Sequence, residues 1–219
     1  PIKDTARVLS RYCDVLAIRT FSQEELEEYA EWSTIPVINA LTDLEHPCQA
    51  LADYLTIKEK FGTLKGINLS YIGDGNNVAN SLMICGAMLG VNVSICSPNG
   101  FEVNSDIVEK AKLLSEFGSE ISICNDPIKS IKGSQVIYTD VWASMGQEDE
   151  HLKRKEIFKK YQVDQNLIDA LIPNGTAKIV SIIANYTKKI QTGYLFDYTF
   201  IIIFGFTFFI SIIFYFALI

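Results

Sequence analysis

Four short stretches of the chain carry side chains whose types and spacing could do chemistry. LEHPCQALADYL (Leu44–Leu55) sets His46 and Pro47 at the mouth of an amphipathic segment, with Gln49 close behind. Pro47 suits a first helical position, where its missing N–H would be unpaired anyway. That explains the proline but not the imidazole beside it. A histidine and an amide at a helix N-terminus face the positive end of the helix dipole, where anions prefer to sit. The stretch therefore reads as an anion site with a proton-handling or carbonyl-polarising group. Arg19, at the end of the apolar run DVLAIR, could converge on it; as one arginine among several it could equally be a surface residue.

The third stretch, YIGDGNNVAN, follows a strand pattern and opens a helix pattern. Gly73 and Gly75 invite a dinucleotide reading, but Val78 stands where the third glycine belongs. The next strand also ends in Ser97-Pro98, with no acidic residue to hold a ribose. The alternative is a tight turn in which Asn76 caps the helix, leaving Asn77 to meet a ligand. The fourth stretch is YTDVWASMGQEDE. Asp140 could bind an ammonium group and Ser144 a carboxylate, which together would suit an amino acid. Asp140 could equally be a helix cap, and Met145 beside Ser144 could simply pack.

The elements that must position these residues follow from periodicity. DVLAIR and IPVI read as short strands, and SQEELEEYAEW as a helix with a capping box at Ser22 and Glu25. NALTDLE reads as a loop. HPCQALADYLTIKEKFG reads as a helix, its apolar positions Ala50, Leu51, Tyr54, Leu55 and Ile57 at helical spacing and Gly62 as its C-cap. From INLSYIG to SQVIYTD, strands and helices alternate with short glycine-containing loops, and HLKRKEIFKKY and DQNLIDALI are further helices. His151, in EDEHLKRKE, reads as a solvated helix residue. The expected fold class is α/β, with doubly wound parallel sheets covered on both faces. A boundary near 61–65 divides residues 1–62, with too few elements for a complete domain, from a second domain over 63–184.

Composition narrows the function. With a net charge of −7, the chain has no nucleic-acid footprint. Its two histidines and five scattered cysteines show no metal-ligand spacing, so no metal is expected. The free cysteines and the charged opening PIKDTARVLSRY point to a reducing, cytoplasmic setting. The segment 194–219, YLFDYTFIIIFGFTFFISIIFYFALI, has Asp197 as its only charge. It meets the criterion for a transmembrane helix, with Lys188 and Lys189 before it favouring a cytoplasmic N-terminal side. The alternative is a frameshift product.

Taken together, RTF at Arg19, HPCQALADYLTI, GDGNNVANS and TDVWASMGQE closely resemble the aspartate/ornithine carbamoyltransferase family over residues 2 to about 180. The Asp-x-x-x-Ser-Met-Gly cluster points to its ornithine branch. The resemblance implies a two-domain enzyme that uses no cofactor and takes carbamoyl phosphate and ornithine as substrates, in arginine synthesis. Arg19, His46 and Gln49 match the residues that hold carbamoyl phosphate, with Arg19 and His46 polarising its carbonyl. Asn77, Asp140, Ser144 and Met145 match those that hold ornithine, Asp140 taking its α-amino end. A homotrimer is also implied.

Departures from the pattern set a further expectation. The family carries a Ser-Thr-Arg-Thr-Arg phosphate loop ahead of the region matching residue 1, and a His-Cys-Leu-Pro motif where this chain reads VSIIANY. Both differences lead to an expectation of little or no turnover. The reading from another class is a membrane-tethered, non-catalytic amino-acid-binding relative.

Overall fold

The computed structural model describes residues 1–115, 117–143 and 150–169, all within one compact unit, Pro1–Leu171. It is an α/β structure with two wholly parallel sheets.

The first lobe opens with α1 (Ile2–Leu9), which the sequence pattern did not foresee. Its apolar stripe is thin, and what holds it is non-local. Ala6 is buried, and Lys3 and Arg7 lie over the ring of Trp32, with Lys3 Nζ 3.8 Å from its centroid. Then follow β1 (Leu16–Arg19), α2 (Gln23–Trp32) and β2 (Val37–Leu41), with β1 and β2 paired in parallel. Ser22 caps α2 by accepting from the Glu25 N–H at 3.2 Å. The return arm of the expected capping box goes elsewhere, because Glu25 accepts from the Thr20 hydroxyl at 2.6 Å. The strand runs on through Asn39–Leu41, where a loop was expected, since Arg19 pairs with Leu41 across a bulge.

Helix α3 (Pro47–Phe61) ends at Gly62, whose φ of 76° is the left-handed cap. Of its five apolar positions, Ala50, Tyr54 and Ile57 are buried, whereas Leu51 and Leu55 are each 57% exposed. The stripe that packs is thus the 50/54/57 face, with 51 and 55 one step round the helix.

The second sheet has the order β5-β4-β3-β6. It is built from β3 (Asn68–Ile72), β4 (Asn92–Cys96), β5 (Ile121–Cys124) and β6 (Val136–Thr139). Alternation along β3 sends Leu69 and Tyr71 to one face and Ser70 and Ile72 to the other. On the first face lie α3, α4 (Asn77–Leu89) and α5 (Ser105–Leu113), sharing one apolar cluster with Val93 and Ile95. On the second, Ile72 and Cys96 pack with Ile131 of α6 (Pro127–Ile131) and Leu167 of α8 (Gln165–Asp169). Between these last two, α7 (His151–Phe158) and a turn of 3-10 helix (Lys159–Tyr161) pass the sheet. The side chain of His151, which opens α7, lies outside the described residues.

From β3 the chain steps outward to β4 and β5, then crosses back to place β6 on the other side of β3. The carboxyl ends of β3 and β6 therefore flank a topological switch point, where loops part and leave a crevice.

Among the described residues no helix is long and apolar enough to cross a membrane. The expected hydrophobic helix at 194–219 lies outside them.

The α3–α4 contact is close enough to test. A Cβ on Gly86 would sit 2.5 Å from both Tyr54 Oη and Val93 Cγ2. Tyr54 cannot withdraw easily, because its hydroxyl donates to the Leu82 carbonyl at 2.6 Å. Overpacking costs ~1–3 kcal/mol, against a helix-propensity gain of roughly 1 kcal/mol for alanine over glycine. Gly86→Ala is expected to lower the midpoint of urea unfolding; a raised midpoint would contradict this packing.

Candidate active site

A cleft of about 750 Å³ opens at the switch point, between the first lobe and the carboxyl ends of β3 and β6. That is the size of a small-molecule site. The first lobe contributes Arg19, Thr42, His46 and Gln49; the second contributes Asp74–Val78, Phe101, Tyr138, Asp140 and Arg154.

His46 is placed by a loop clamped from the other lobe. Within the loop, the Thr42 N–H donates to the Glu45 carbonyl at 2.9 Å, and the Glu45 N–H donates to Thr42 Oγ1 at 3.1 Å. From α4, Asn77 Nδ2 donates to the Thr42 carbonyl at 2.6 Å and Asn80 Nδ2 to the Leu44 carbonyl at 2.9 Å. Ser81 Oγ accepts from the His46 N–H at 2.7 Å. Residues 77, 80 and 81 fall on one face of a helix, three and four apart. His46 then stands as the residue before Pro47 at the start of α3, whose first turn holds no acidic side chain. Its Nδ1 is buried and has no hydrogen-bond partner among the described residues. One turn on, Gln49 Nε2 donates to Asp53 at 3.0 Å.

The glycines after β3 serve backbone packing. The Gly73 N–H donates to the Cys96 carbonyl at 3.0 Å, and that of Gly75 to the Phe101 carbonyl at 2.8 Å. A Cβ on Gly75 would lie 2.4 Å from the Val103 nitrogen, so the two loops could not approach with any side chain there. Asn76 caps α4, its Oδ1 accepting from the Val78 and Ala79 N–H groups at 3.1 Å. Asn77 is not wholly free as the sequence suggested: one amide N–H is committed to the Thr42 carbonyl, which leaves its other N–H and its Oδ1. Among the described residues Asp140 caps no helix. One carboxylate oxygen accepts from Asn76 Nδ2 at 3.2 Å and the other from the next residue's N–H at 2.8 Å. Ser144 and Met145 lie outside the described residues. The fold thus brings Arg19, His46, Gln49, Asn77 and Asp140 to one cleft.

Comparison with known proteins bears directly on this cleft. Residues 1–59 match the aspartate/ornithine carbamoyltransferase carbamoyl-P binding domain, and residues 65–177 match the Asp/Orn binding domain of the same family. The chain belongs to the aspartate/ornithine carbamoyltransferase family. It is 68% identical over 169 residues to an ornithine carbamoyltransferase of Prochlorococcus marinus, covering 77% of this chain and 53% of that protein. The solved ornithine carbamoyltransferase of Pyrococcus furiosus aligns with a TM-score of 0.74 at 49% identity, over 77% of this chain and 54% of that one. That of Gloeobacter violaceus aligns with a TM-score of 0.71 at 47% identity, over 78% and 57%. The chain spans about half the length of the curated relatives it matches.

Of the cleft residues, Arg19, His46 and Gln49 fall within the first matched region, and Asn77 and Asp140 within the second. Sequence reasoning missed three further wall residues. Tyr138 stacks on Tyr71, ring centroids 5.9 Å apart, and burial raises its phenol pKa, with Asp53 adding to the effect. Asp74 and Arg154 form a buried pair, Oδ2 to Nη1, at 2.6 Å. Arg154 also donates to the Trp142 carbonyl at 3.1 Å and to Glu150 at 2.9 Å, with its guanidinium over Phe101. It sits in a charge-rich run that reads as solvated, yet it is only 7% exposed. Asp74 and Arg154 are 80 residues apart, so no local pattern links them; the one hint is an acid directly after a strand.

Burial pushes the Asp74 carboxyl above its ordinary range, and the bond from Arg154 only partly offsets it. The folded chain therefore takes up this proton at higher pH than the unfolded chain. The resulting stabilisation is present at low pH and is lost as pH rises through the folded pKa. In urea unfolding of Asp74→Asn beside the parent chain, the stability difference should shift toward the variant as pH rises from about 3.9, the ordinary Asp value. A difference that is flat with pH, or shifts toward the parent, would contradict this assignment.

Proposed function

We propose that the cleft transfers the carbamoyl group of carbamoyl phosphate to the δ-amine of ornithine, giving citrulline and phosphate, the step that serves arginine synthesis. Residues 1–62 supply the carbamoyl-phosphate half and residues 63–184 the ornithine half. The observation that carries the reading is His46: a buried ring nitrogen without a partner among the described residues, at the N-terminus of a helix, in a cleft wall shared with Arg19 and Gln49.

In this reading the phosphate lies toward Arg19 and the start of α3, where guanidinium and helix dipole both favour an anion. Arg19 and His46 donate to the carbonyl oxygen. Gln49, oriented by Asp53, holds the carbamoyl end. Asp140 takes the α-ammonium of ornithine with the lone pairs its two hydrogen bonds leave. Asn77 Oδ1 adds an acceptor, and Ser144 and Met145 complete the ornithine side. The uncharged δ-amine attacks the carbonyl carbon, negative charge collects on the oxygen facing Arg19 and His46, and the C–O bond to phosphate then breaks. Positioning and donors aimed at the developing oxyanion supply the rate. The VSIIANY segment, where the family carries His-Cys-Leu-Pro, lowers turnover on the ornithine side. A cytoplasmic setting and a homotrimeric assembly belong to the same proposal.

The test measures citrulline formed from carbamoyl phosphate and ornithine beside carbamoyl-aspartate formed from aspartate, in the wild-type protein and in His46→Ala. Citrulline should predominate, and the variant should lose roughly 10²–10³-fold in rate, the cost of one oxyanion donor. A preference for aspartate, or a citrulline rate indifferent to His46, would refute the proposal.

A further inference from the structure

Two of the five cysteines stand side by side on adjacent strands. Strands β4 and β5 run parallel, with Cys96 directly in register with Cys124. Residues in register on adjacent strands project to the same face. Their backbones lie about 4.8 Å apart, inside the roughly 4.4–6.8 Å Cα separation that a disulfide spans. Both side chains enter one apolar cluster with Ile72, Ile131 and Leu167. Exposure differs: Cys96 is fully buried, whereas Cys124 is half-buried. None of the other three thiols has a cysteine opposite it in a strand pair.

Hydroxyl groups extend from the half-buried sulfur. Ser94 Oγ lies 3.9 Å from Cys124 Sγ, Ser130 Oγ lies 3.0 Å from Ser94 Oγ, and Ser70 Oγ lies 2.5 Å from Ser130 Oγ. The neighbouring Cys96 thiol, with the Ser130 and Ser94 hydroxyls, holds the Cys124 thiol down to about 5 against the opposing effect of burial; when protonated, it donates to the Asp126 carbonyl at 3.9 Å. A thiolate is the nucleophilic form of cysteine, and here it is the more accessible of the two.

We propose that Cys96 and Cys124 are an oxidation site, a dithiol that a hydroperoxide converts reversibly into an intrachain disulfide. The Cys124 thiolate attacks one peroxide oxygen, the O–O bond breaks, and Cys124 becomes a sulfenic acid as hydroxide leaves. Cys96 gives up its proton and attacks the Cys124 sulfur; the S–S bond forms, the S–O bond breaks, and water leaves. For hydrogen peroxide, two thiols are oxidised and one peroxide is reduced to two waters. An external dithiol reverses the step. The bond would close beneath the cleft loops, since the Cys96 carbonyl is the acceptor for the Gly73 N–H.

The test treats the full chain with hydrogen peroxide, alkylates the remaining thiols and digests with trypsin without reduction. Cleavage at lysines leaves Cys96, with Cys85, in peptide 66–110 and Cys124 in peptide 113–129. The two peptides should appear linked, the free-thiol count should fall from five to three, and dithiothreitol should restore it. Cys85→Ala should retain the link; Cys124→Ser, at a half-buried position that tolerates the change, and Cys96→Ala should each abolish it. Persistence of all five thiols, oxidation of Cys124 beyond sulfenic acid without a link, or loss of the link in Cys85→Ala would overturn the proposal.

Discussion

The cleft depends on a hydrogen-bonded seam between α4 and the Thr42–His46 loop. Asn77, Asn80 and Ser81, from one face of the helix, engage two carbonyls and one N–H of a backbone that belongs to the other lobe. Those backbone groups have left β2 and have not yet joined α3, so neither element can satisfy them. Leaving such a group buried and unpaired costs about 1–3 kcal/mol, which makes the seam a structural requirement as well as a link. It also fixes where His46 stands, and hence where α3 begins.

The second lobe contributes the opposite wall through a different constraint. Because β6 lies on the far side of β3 from β4, the loops after β3 and β6 diverge, and the crevice follows from strand order. Gly75 lets the β3 loop touch the backbone at Glu102 and Val103, and the Asp74–Arg154 pair ties that loop to α7. Burying the Asp74 carboxylate has a desolvation cost that the bond from Arg154 offsets only in part, as its raised pKa shows, whereas Asp74 and Glu150 together hold Arg154 in its charged form. The pair specifies loop position.

Much of this was legible in the sequence because the governing interactions are local. Strand–helix alternation from INLSYIG onward, the Gly62 cap, the Asn76 cap and Pro47 at a helix start each depend on a few adjacent residues, and the structure has all of them. What was not legible depends on distant partners. Helix α1 is held by Trp32, the burial of Arg154 depends on Asp74, and whether Leu51 or Ala50 faces the core depends on which side α4 lies. Asn77 is the instructive case. Its place beside the crevice could be read from GDGNN, but one of its amide N–H groups is taken by a carbonyl 35 residues earlier, which no local pattern announces. Gly75 was visible as a glycine, and only the approach of the Glu102–Val103 backbone explains why it is needed.

The most direct test of the seam is amide hydrogen exchange at His46 in the parent chain and in Ser81→Ala. If Ser81 Oγ is the acceptor that holds this loop, the His46 amide should exchange at least tenfold faster in the variant, while amides in β3 and β4 keep their protection. A His46 amide that exchanges at the same rate in both would mean that the loop is held by something other than α4, and the account of how the cleft is positioned would fail.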